Sequence, residues 1–309
     1  MIIRNGFYGD IEYCIFDPTG NITALVETEV DPMDQPSVAA GVMGLNPDVE
    51  QVGFVTFGNG TADRAAGAAA GAGAPGADGA VNEGAPVSLR MAGGEFCGNA
   101  TMCAAALYMI QNGFIGEMSV KVRVSGAKEP LEVCLARKDA ACFEAAVSMP
   151  PALGIDGMKL TDGMLPGSAA LELPIVRMQG ISHVIIEPDS GFFGLKDDKT
   201  LAETLLRGWC GAIGAECLGM MFLDEACGSD ESSAGARVLT PLVYVPGADT
   251  MFWENSCASG SAAAGIYLAA KACRPVDVCF DEPAGRLRVE SDPESGKTVL
   301  HGSVVLAER

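Results

Sequence analysis

Two short segments, about half the chain apart, share one pattern, and this internal repeat constrains the fold more than any other feature. Each segment consists of a predicted strand, a loop rich in Gly, Asn and Ser, a cysteine, and a helical run of small residues. The first contains Cys97 ahead of a helix carrying Tyr108, and the second contains Cys257 ahead of a helix carrying Tyr267. Each cysteine follows a Met by six residues and a Glu by two or three. A duplicated unit predicts two similar lobes that face each other across a cleft, with one cysteine on each side.

The remaining apolar periodicity predicts an α/β (α+β) chain in which strands outnumber helices. Strands are expected at 2–16, 22–30, 52–57, 87–91, 118–125, 130–136, 141–148, 171–177, 182–187, 218–223 and 238–245, with two or three more after residue 273. Helices are expected at 36–45, 100–110, 198–214 and 261–273, and a polar loop at 224–235. The order of these elements in the first half recurs in the second.

Breaks in composition suggest where the lobes begin and end. The string Met149-Pro150-Pro151 interrupts the strand pattern, so we expect an N-terminal lobe at 1–148 and a C-terminal lobe at 149–296. The final strand, 297–309, is expected to return to the N-terminal lobe. Residues 58–84 are almost entirely Ala and Gly without hydrophobic period, and this composition predicts a mobile insertion without a function of its own.

Composition excludes several classes of function. The formal net charge is -20, which repels phosphate backbones and anionic membranes, so neither nucleic acid nor a membrane is an expected partner. No signal peptide and no apolar run of membrane-spanning length is visible, and eleven cysteines without an export signal suggest reduced thiols in the cytoplasm. The sequence has only two histidines, so a zinc site is not expected. The oligomeric state is not determined by the sequence, and a homodimer stays an open alternative.

The two cysteines lie where a thiol can be reactive. Most free cysteines are buried small hydrophobes, but Cys97 and Cys257 each occupy a polar loop at the start of a helix. Backbone N–H groups and the helix dipole at such a position are expected to lower a thiol pKa toward neutrality. The same N–H groups can bind a carboxylate, so we expect Gly98, Asn99 and Ala100 on one side, and Gly260 and Ser261 on the other, to clamp one carboxylate between two helices.

Two facing thiols suit inversion at a carbon next to that carboxylate. A proton must leave one face and another must arrive at the opposite face, and a thiolate paired with a thiol supplies both groups. Charge that develops in the carboxylate would be stabilised by the N–H groups around it. A small amino acid is the expected substrate, and we expect neither a cofactor nor a metal.

The motifs around both cysteines resemble those of the diaminopimelate epimerase superfamily, and within it those of histidine racemases, including the type that feeds opine metallophore synthesis. The strings that carry the resemblance are DPTGN at 17–21, EQVGF at 50–54, EFCGNATM at 95–102, VSG at 124–126 and WENSC at 253–257. The resemblance implies two pseudo-symmetric lobes, each a mostly antiparallel sheet wrapped around a central helix. It also implies amino-acid racemization independent of pyridoxal phosphate, with Cys97 and Cys257 as the acid/base pair.

The resemblance further implies the residues that hold the substrate. Asn21, Asn99 and Glu254 would hold the amino-acid head, and Glu50 would lie near its side chain. Other expected contacts of the substrate are Gln51, Gly98, Ala100, His183, Asn255, Gly260 and Ser261. His183 lies in a predicted strand, and a structural role is an equal alternative for it.

The chain departs from the diaminopimelate pattern at one informative place. Enzymes of that type carry an Arg about eight residues before the second cysteine, where this chain has Asp249 and Thr250. A second substrate carboxylate would lack its bidentate partner, which favours histidine over diaminopimelate. Ala258 also replaces a Gly that is common there. Diaminopimelate, another amino acid such as proline, and a non-catalytic amino-acid-binding protein remain alternatives.

Overall fold

The computed structural model of the chain describes residues 6–58, 85–160, 171–225 and 235–307. The predicted insertion at 58–84 lies outside the described residues except for Gly58. The polar loop predicted at 224–235 is also largely outside them, and its first two residues belong to a strand.

Seventeen strands and four α-helices make up the described chain. The helices are α1 (Gln35–Leu45), α2 (Gly98–Gln111), α3 (Lys199–Ile213) and α4 (Ala258–Ala272). The strands of the first half are β1 (Gly6–Tyr8), β2 (Ile11–Asp17), β3 (Thr23–Val26), β4 (Gln51–Phe57), β5 (Val87–Met91), β6 (Glu117–Val124), β7 (Leu131–Arg137) and β8 (Cys142–Ser148). Those of the second half are β9 (Gly154–Leu160), β10 (Leu171–Arg177), β11 (Ser182–Ile186), β12 (Leu218–Glu225), β13 (Arg237–Val245), β14 (Thr250–Trp253), β15 (Val276–Glu282), β16 (Gly285–Ser291) and β17 (Thr298–Leu306).

The strand pairing repeats between the halves and confirms the duplication predicted from the sequence. In the first half, β2–β3 is antiparallel, β3–β4 parallel, β4–β5 antiparallel, β5–β6 parallel, and β6–β7 and β7–β8 antiparallel. In the second half the same alternation runs through β10–β11, β11–β12, β12–β13, β13–β15, β15–β16 and β16–β17. Each parallel step is crossed over by a helix, and α2 and α4 occupy equivalent crossovers.

α2 and α4 are the central helices of the two lobes. Most of their side chains are buried, because Ala, Gly, Ser and Cys leave room for strands to pack around the whole helix. α2 contacts strands β3 to β8, and α4 contacts β10, β11, β12, β15 and β16. The fold is therefore the predicted pseudo-symmetric α+β fold, with a sheet around a central helix in each half.

The last strand, β17, joins the two halves. It pairs with β16 over four residues and with β8 over seven, from Val299 to Val305, and its end also meets β2. Its place in the repeat is that of β8, so the two equivalent strands pair with each other. The lobe boundaries given from the sequence stay a prediction, because one hydrogen-bonded network continues through both halves.

Four details differ from the sequence prediction. The strand predicted at 2–16 is, in its described part, the two antiparallel strands β1 and β2, because the chain turns at Gly9, which has a positive φ of 59°. Strands β9 and β14 were not predicted, because 154–160 is mostly exposed and 250–253 is short. Met251 lies in β14, which has no counterpart in the first half, whereas Met91 ends β5; the shared Met spacing is therefore not a structural equivalence. α2 and α4 begin two and three residues earlier than predicted, directly after the cysteines. Within the described ranges, no helix is long and apolar enough to cross a membrane.

Candidate active site

The N-termini of α2 and α4 meet at the interface of the two halves. A Cβ atom at Gly98 would lie 2.9 Å from the Cβ of Ala258, so the first residues of the two helices are in close contact. The amide of Asn99 donates to the carbonyl of Ser256 at 3.2 Å, which ties the start of α2 to the loop before α4. The two loops that carry the cysteines therefore face each other, as the internal repeat predicts.

Cys97 and Cys257 are the N-cap residues of these helices, with nearly the same backbone conformation. Their φ and ψ angles are -135° and 112° for Cys97 and -127° and 100° for Cys257. In each case the sulfur accepts the N–H three residues later, from Ala100 and from Gly260, at 3.3 Å. A sulfur thus replaces the oxygen of an ordinary N-cap and is fixed at the positive end of the helix dipole.

Both cysteines line one cavity of about 310 Å³. Its lining includes residues of α1 and the start of β4, and residues of the end of β13 and of the loop that follows it. The described residues that line it are Pro36, Ala39, Ala40, Met43, Glu50, Gln51, Val52, Ala92, Glu95, Phe96, Cys97, Gly98, Asn99, Ile181, Val243, Val245, Ala248, Asp249, Thr250, Phe252, Glu254, Cys257, Ala258 and Ser259. Its size and mixed lining suit a small organic molecule.

The thiol pKa values correct an expectation drawn from the sequence. Burial raises the pKa of Cys97 and of Cys257 well above the ordinary value. Backbone N–H groups of Asn99 and Ala100 only partly offset this rise in the pKa of Cys97, and the Ser259 side chain only partly offsets it for Cys257. Nearby Glu254 raises both further. Without a substrate, desolvation and negative neighbours outweigh the helix dipole, so the thiols of the empty site hold their protons.

The cavity is rich in carboxylates, and this feature was only partly visible in the sequence. Glu50, Glu95, Asp249 and Glu254 line it, and no Lys or Arg is among the described lining residues. Burial raises the pKa of Glu50, of Glu95 and, to about 8, of Glu254. One buried carboxylate oxygen of Glu95 and one of Glu254 have no hydrogen-bond partner in the described parts of the chain.

Hydrogen bonds connect these groups across the two halves. The Cys97 thiol donates to Oε1 of Gln51 at 2.7 Å, and Nε2 of Gln51 donates to Oε1 of Glu254 at 3.1 Å. Behind the second cysteine, Glu282 accepts the backbone N–H of Cys257 at 2.6 Å and the hydroxyl of Ser261. Burial raises the pKa of Glu282 to about 8.

The predicted substrate contacts divide into two groups. Glu50, Gln51, Gly98, Asn99 and Glu254 line the cavity beside the cysteines. The others stand outside the lining: Asn21, Ala100, His183, Asn255, Gly260 and Ser261.

Asn21 and Asn255 act on the cavity through Glu50. Nδ2 of Asn21 donates to one oxygen of Glu50 at 2.8 Å, and Nδ2 of Asn255 donates to the other at 2.5 Å. Both amides therefore fix the Glu50 carboxylate, and they do so from opposite halves of the chain.

The carboxylate clamp also differs from the prediction. The N–H groups of Ala100 and Gly260 already donate to the sulfurs, and that of Ser261 donates to the carbonyl of Cys257. The amides of the first two helical residues have no acceptor within the helix, and they belong to Gly98 and Asn99 in α2 and to Ala258 and Ser259 in α4. These four residues line the cavity.

Sequence reasoning missed Glu95, Ser259 and Phe252 as lining residues. Glu95 and Ser259 lie two residues from a cysteine, so distance along the chain was the signal that could have found them. Trp253, of the WENSC string, is not among the lining residues; it stacks on Phe222 with ring centroids 5.8 Å apart and donates to Glu203. The side chain of its neighbour Phe252 points into the cavity, because successive side chains of a strand point to opposite faces of the sheet.

Comparison with known proteins places this chain in a family. Residues 78–306 match the family described as "Histidine racemase CntK N-terminal domain". That match covers most of the chain. The chain belongs to this histidine racemase family.

Curated members of the histidine racemase family are similar to the chain over nearly its full length. A histidine racemase of Staphylococcus aureus is 27% identical over 285 residues, which cover 91% of this chain and 88% of the relative. One from Fusobacterium nucleatum is 28% identical over 276 residues, covering 86% and 83%.

Solved structures show the same fold at low identity. A hydroxyproline epimerase from Agrobacterium vitis has a TM-score of 0.65 at 10% identity, covering 96% of this chain and 91% of that one. A probable proline racemase from Agrobacterium radiobacter has a TM-score of 0.64 at 12% identity, covering 97% and 92%. With its family established, the chain is an isomerase of the amino-acid racemase and epimerase class.

Proposed function

We propose that the protein interconverts L- and D-histidine by a two-base mechanism in which Cys97 and Cys257 act from opposite faces of the α-carbon. The observation that carries the proposal is that two cysteines, one from each half, cap two meeting helices and line one cavity. In one direction, a thiolate at one cysteine takes the α-proton while the thiol of the other gives its proton to the opposite face. The two sulfurs have then exchanged protonation states, and the reverse direction uses them in exchanged roles.

The N-termini of α2 and α4 suit the charge that develops in this reaction. As the α-proton leaves, negative charge moves into the substrate carboxylate. The first-turn backbone amides of Gly98 and Asn99, and of Ala258 and Ser259, can donate to that carboxylate, and both helix dipoles point their positive ends at it. Because the site is buried, these donors act in a low dielectric, where they stabilise charge more than they would in water.

The raised thiol pKa values fit a site that needs its substrate to become active. A bound amino acid brings an α-ammonium group among Glu50, Glu95 and Glu254, and so reduces the negative potential that opposes a thiolate. The substrate's own cation then favours the ionised pair. This explains how buried thiols can still act as bases once the site is occupied.

The carboxylates also favour histidine among amino acids. A second cationic or hydrogen-bond-donating group on the substrate suits a cavity with four acidic and, in its described lining, no basic side chains. The imidazole of histidine supplies such a group. Every curated relative given above also carries the name histidine racemase.

Diaminopimelate is a poorer fit to the same cavity. Its distal carboxylate would meet Glu50, Glu95 or Asp249 without a cation to bind it. Arg207 of α3 contacts the lining residue Asp249 at 3.4 Å, but it lies outside the lining and donates to the Tyr244 hydroxyl at 2.7 Å.

The deciding experiment follows deuterium uptake from D₂O at the α-carbon of histidine, proline and diaminopimelate, together with the change in chirality. The wild type should racemize histidine far faster than the other two. Cys97→Ser and Cys257→Ser should each lower racemization by at least about a thousandfold, because each removes one of the two proton-transfer groups. Cys103→Ser, a substitution of a buried cysteine one and a half turns into α2, is the matched control and should keep its turnover. Wild-type turnover in either active-site variant would refute the two-base scheme, and faster turnover of proline or diaminopimelate would refute the substrate.

A further inference from the structure

His183 lies directly behind the second cysteine and not in the cavity. It belongs to β11 and is fully buried. Its Nε2 is 3.0 Å from the hydroxyl oxygen of Ser259, and that oxygen is 3.7 Å from the sulfur of Cys257. A continuous chain of three polar side chains thus leads from the sulfur into the core of the second half.

The surroundings of the imidazole determine the direction of its hydrogen bond. Nδ1 has no partner among the described residues and faces Gly219, where a Cβ atom would lie 2.4 Å away. A buried N–H without an acceptor costs more than a bare ring nitrogen, so the proton belongs on Nε2. His183 then donates to Ser259, and the Ser259 hydroxyl is left to donate to Cys257.

The first half lacks this arrangement. Asn99 holds the place of Ser259 at the second helical position, but its amide donates to the Ser256 carbonyl. The side chain that contacts the first sulfur is Gln51, whose carbonyl oxygen accepts the thiol proton of Cys97. Both thiols therefore face an acceptor, Gln51 for Cys97 and the Glu254 carboxylate for Cys257, but only Cys257 is also offered a hydroxyl donor, that of Ser259.

We propose that His183 and Ser259 are positioning residues that orient the Cys257 sulfur and stabilise its thiolate, with no equivalent action on Cys97. The inference rests on the proposed two-cysteine function. It makes the two bases chemically unequal, although their backbones are nearly superimposable.

Other groups facing Cys257 act in the opposite direction. Glu254, from the loop before α4, and Glu282, from the end of β15, both raise the pKa of the Cys257 thiol, and burial raises it more than either. Burial lowers the pKa of His183 to about 3, so its imidazole is neutral at any pH at which a racemase works. The donor chain therefore contributes hydrogen bonds and not positive charge. Its loss should raise the pKa of Cys257 and leave that of Cys97 unchanged.

The test measures the alkylation rate of each cysteine against pH, using iodoacetamide and mass spectrometry of the resulting peptides. Cys97 in the same molecule is the internal reference, and the readout does not depend on racemization. In Ser259→Ala and in His183→Leu, the pH midpoint for Cys257 should rise by about one unit, as expected for the loss of one hydrogen bond to a charged group. The midpoint for Cys97 should stay in place.

Two further variants separate positioning from a merely structural role. His183→Gln can still donate to Ser259 and should restore the Cys257 midpoint, whereas His183→Leu fills similar space without a donor. The double variant Ser259→Ala/His183→Leu should show no larger shift than Ser259→Ala, because both changes break the same chain. In the racemase assay, the acidic limb of the pH profile should move upward in Ser259→Ala and His183→Leu, and their turnover at neutral pH should fall roughly tenfold.

Equal shifts at both cysteines, or no shift at Cys257 in either assay, would overturn the inference. So would a His183→Gln variant that behaves like His183→Leu while melting at the wild-type temperature. These results would leave the two-base proposal intact, because that proposal fails only if the cysteine variants racemize histidine normally.

Discussion

Cys97 and Cys257 each use a sulfur atom to cap a helix, and this single choice fixes where the reactive atoms lie. An N-cap side chain must turn back toward the first helical amides, so each sulfur is held within 3.3 Å of a backbone N–H. The residue after each cysteine is small, Gly98 or Ala258, and these two residues touch. Packing at that contact therefore controls the spacing of the two bases.

Gly98→Ala should disturb this spacing, since the new Cβ would lie 2.9 Å from the Cβ of Ala258 and 3.4 Å from Cε of Met149. We expect racemization to fall by at least about tenfold with a modest loss of stability, because small misplacements of reacting groups have large effects on rate. The matched double variant Gly98→Ala/Ala258→Gly moves the methyl group to the other helix and should recover most of the activity. A double variant as inactive as Gly98→Ala would show that the contact does not set the geometry.

Glu282 gives the protein a pH-dependent stability that Glu282→Gln should weaken. Burial raises the Glu282 pKa from an ordinary value of about 4.3 to about 8 in the folded state. The folded protein then binds this proton more tightly, so the contribution is complete below about pH 4.3 and is lost as pH rises through 8. Urea unfolding between pH 5 and 8 should show the wild type losing stability relative to Glu282→Gln, by at most about 1.4 kcal/mol per pH unit. A constant difference between the two proteins across that range would contradict a raised pKa.

At the scale of elements, two turns from different halves support the loop that carries Cys97. The β6–β7 turn contains Gly126 and the β10–β11 turn contains Gly180, both with positive φ, of 75° and 76°. A Cβ at Gly126 would lie 2.5 Å from the backbone nitrogen of Phe96, and one at Gly180 would lie 2.8 Å from Cα of Gly126. The backbone just before the cysteine thus packs closely against two glycines, one from each half.

Gly126→Ala is expected to lower both stability and activity, and Gly116→Ala is its matched control. Gly116 also has positive φ, of 85°, but a Cβ there would meet nothing within 4 Å. Both variants bear the left-handed backbone cost of about 1 kcal/mol, and only Gly126→Ala adds a clash with Phe96. Thermal unfolding and racemase turnover of the two should differ clearly. Equal losses would mean that the turn contact has no part in holding the cysteine loop.

At the scale of the whole molecule, the two halves share a core as well as a sheet. A single cluster of buried hydrophobic residues includes Leu107 of α2 and Ala263 of α4, together with strands from both halves. β17 adds hydrogen bonds on both sides. The halves are therefore expected to unfold together despite their separate sequence repeats.

The positions of the tryptophans provide a test of this cooperativity. Trp209 and Trp253, the two tryptophans of the chain, both lie in the second half. Tryptophan fluorescence and far-UV circular dichroism should give coincident urea transitions. Leu107→Ala, in the first half, should shift both curves by about 2–5 kcal/mol, because it leaves a cavity in the shared core. If the fluorescence curve stays in place while the dichroism curve moves, the halves unfold independently.

Local patterns were sufficient to predict the repeat, most helices and strands, and the two cysteines. The alternating or helical spacing of apolar residues is a property of each segment by itself, so it predicts that segment's secondary structure. The two similar cysteine loops can be recognised from the order of residues alone. The short β14 and the exposed β9 were not predicted. Pairing of β14 with β13 and of β9 with β10 determines these strands more than their own pattern of apolar residues does.

Only the tertiary structure decided the chemistry around those cysteines. Burial, a property of the packed halves, reversed the expected direction of the thiol pKa shifts, and the meeting of distant segments brought Glu50, Glu95 and Glu254 to one cavity. The same packing took His183 out of the cavity and placed it behind Ser259. Residue types and local spacing thus determine which groups can react, whereas desolvation and contacts between halves, which depend on residues far apart in the chain, determine how they do so.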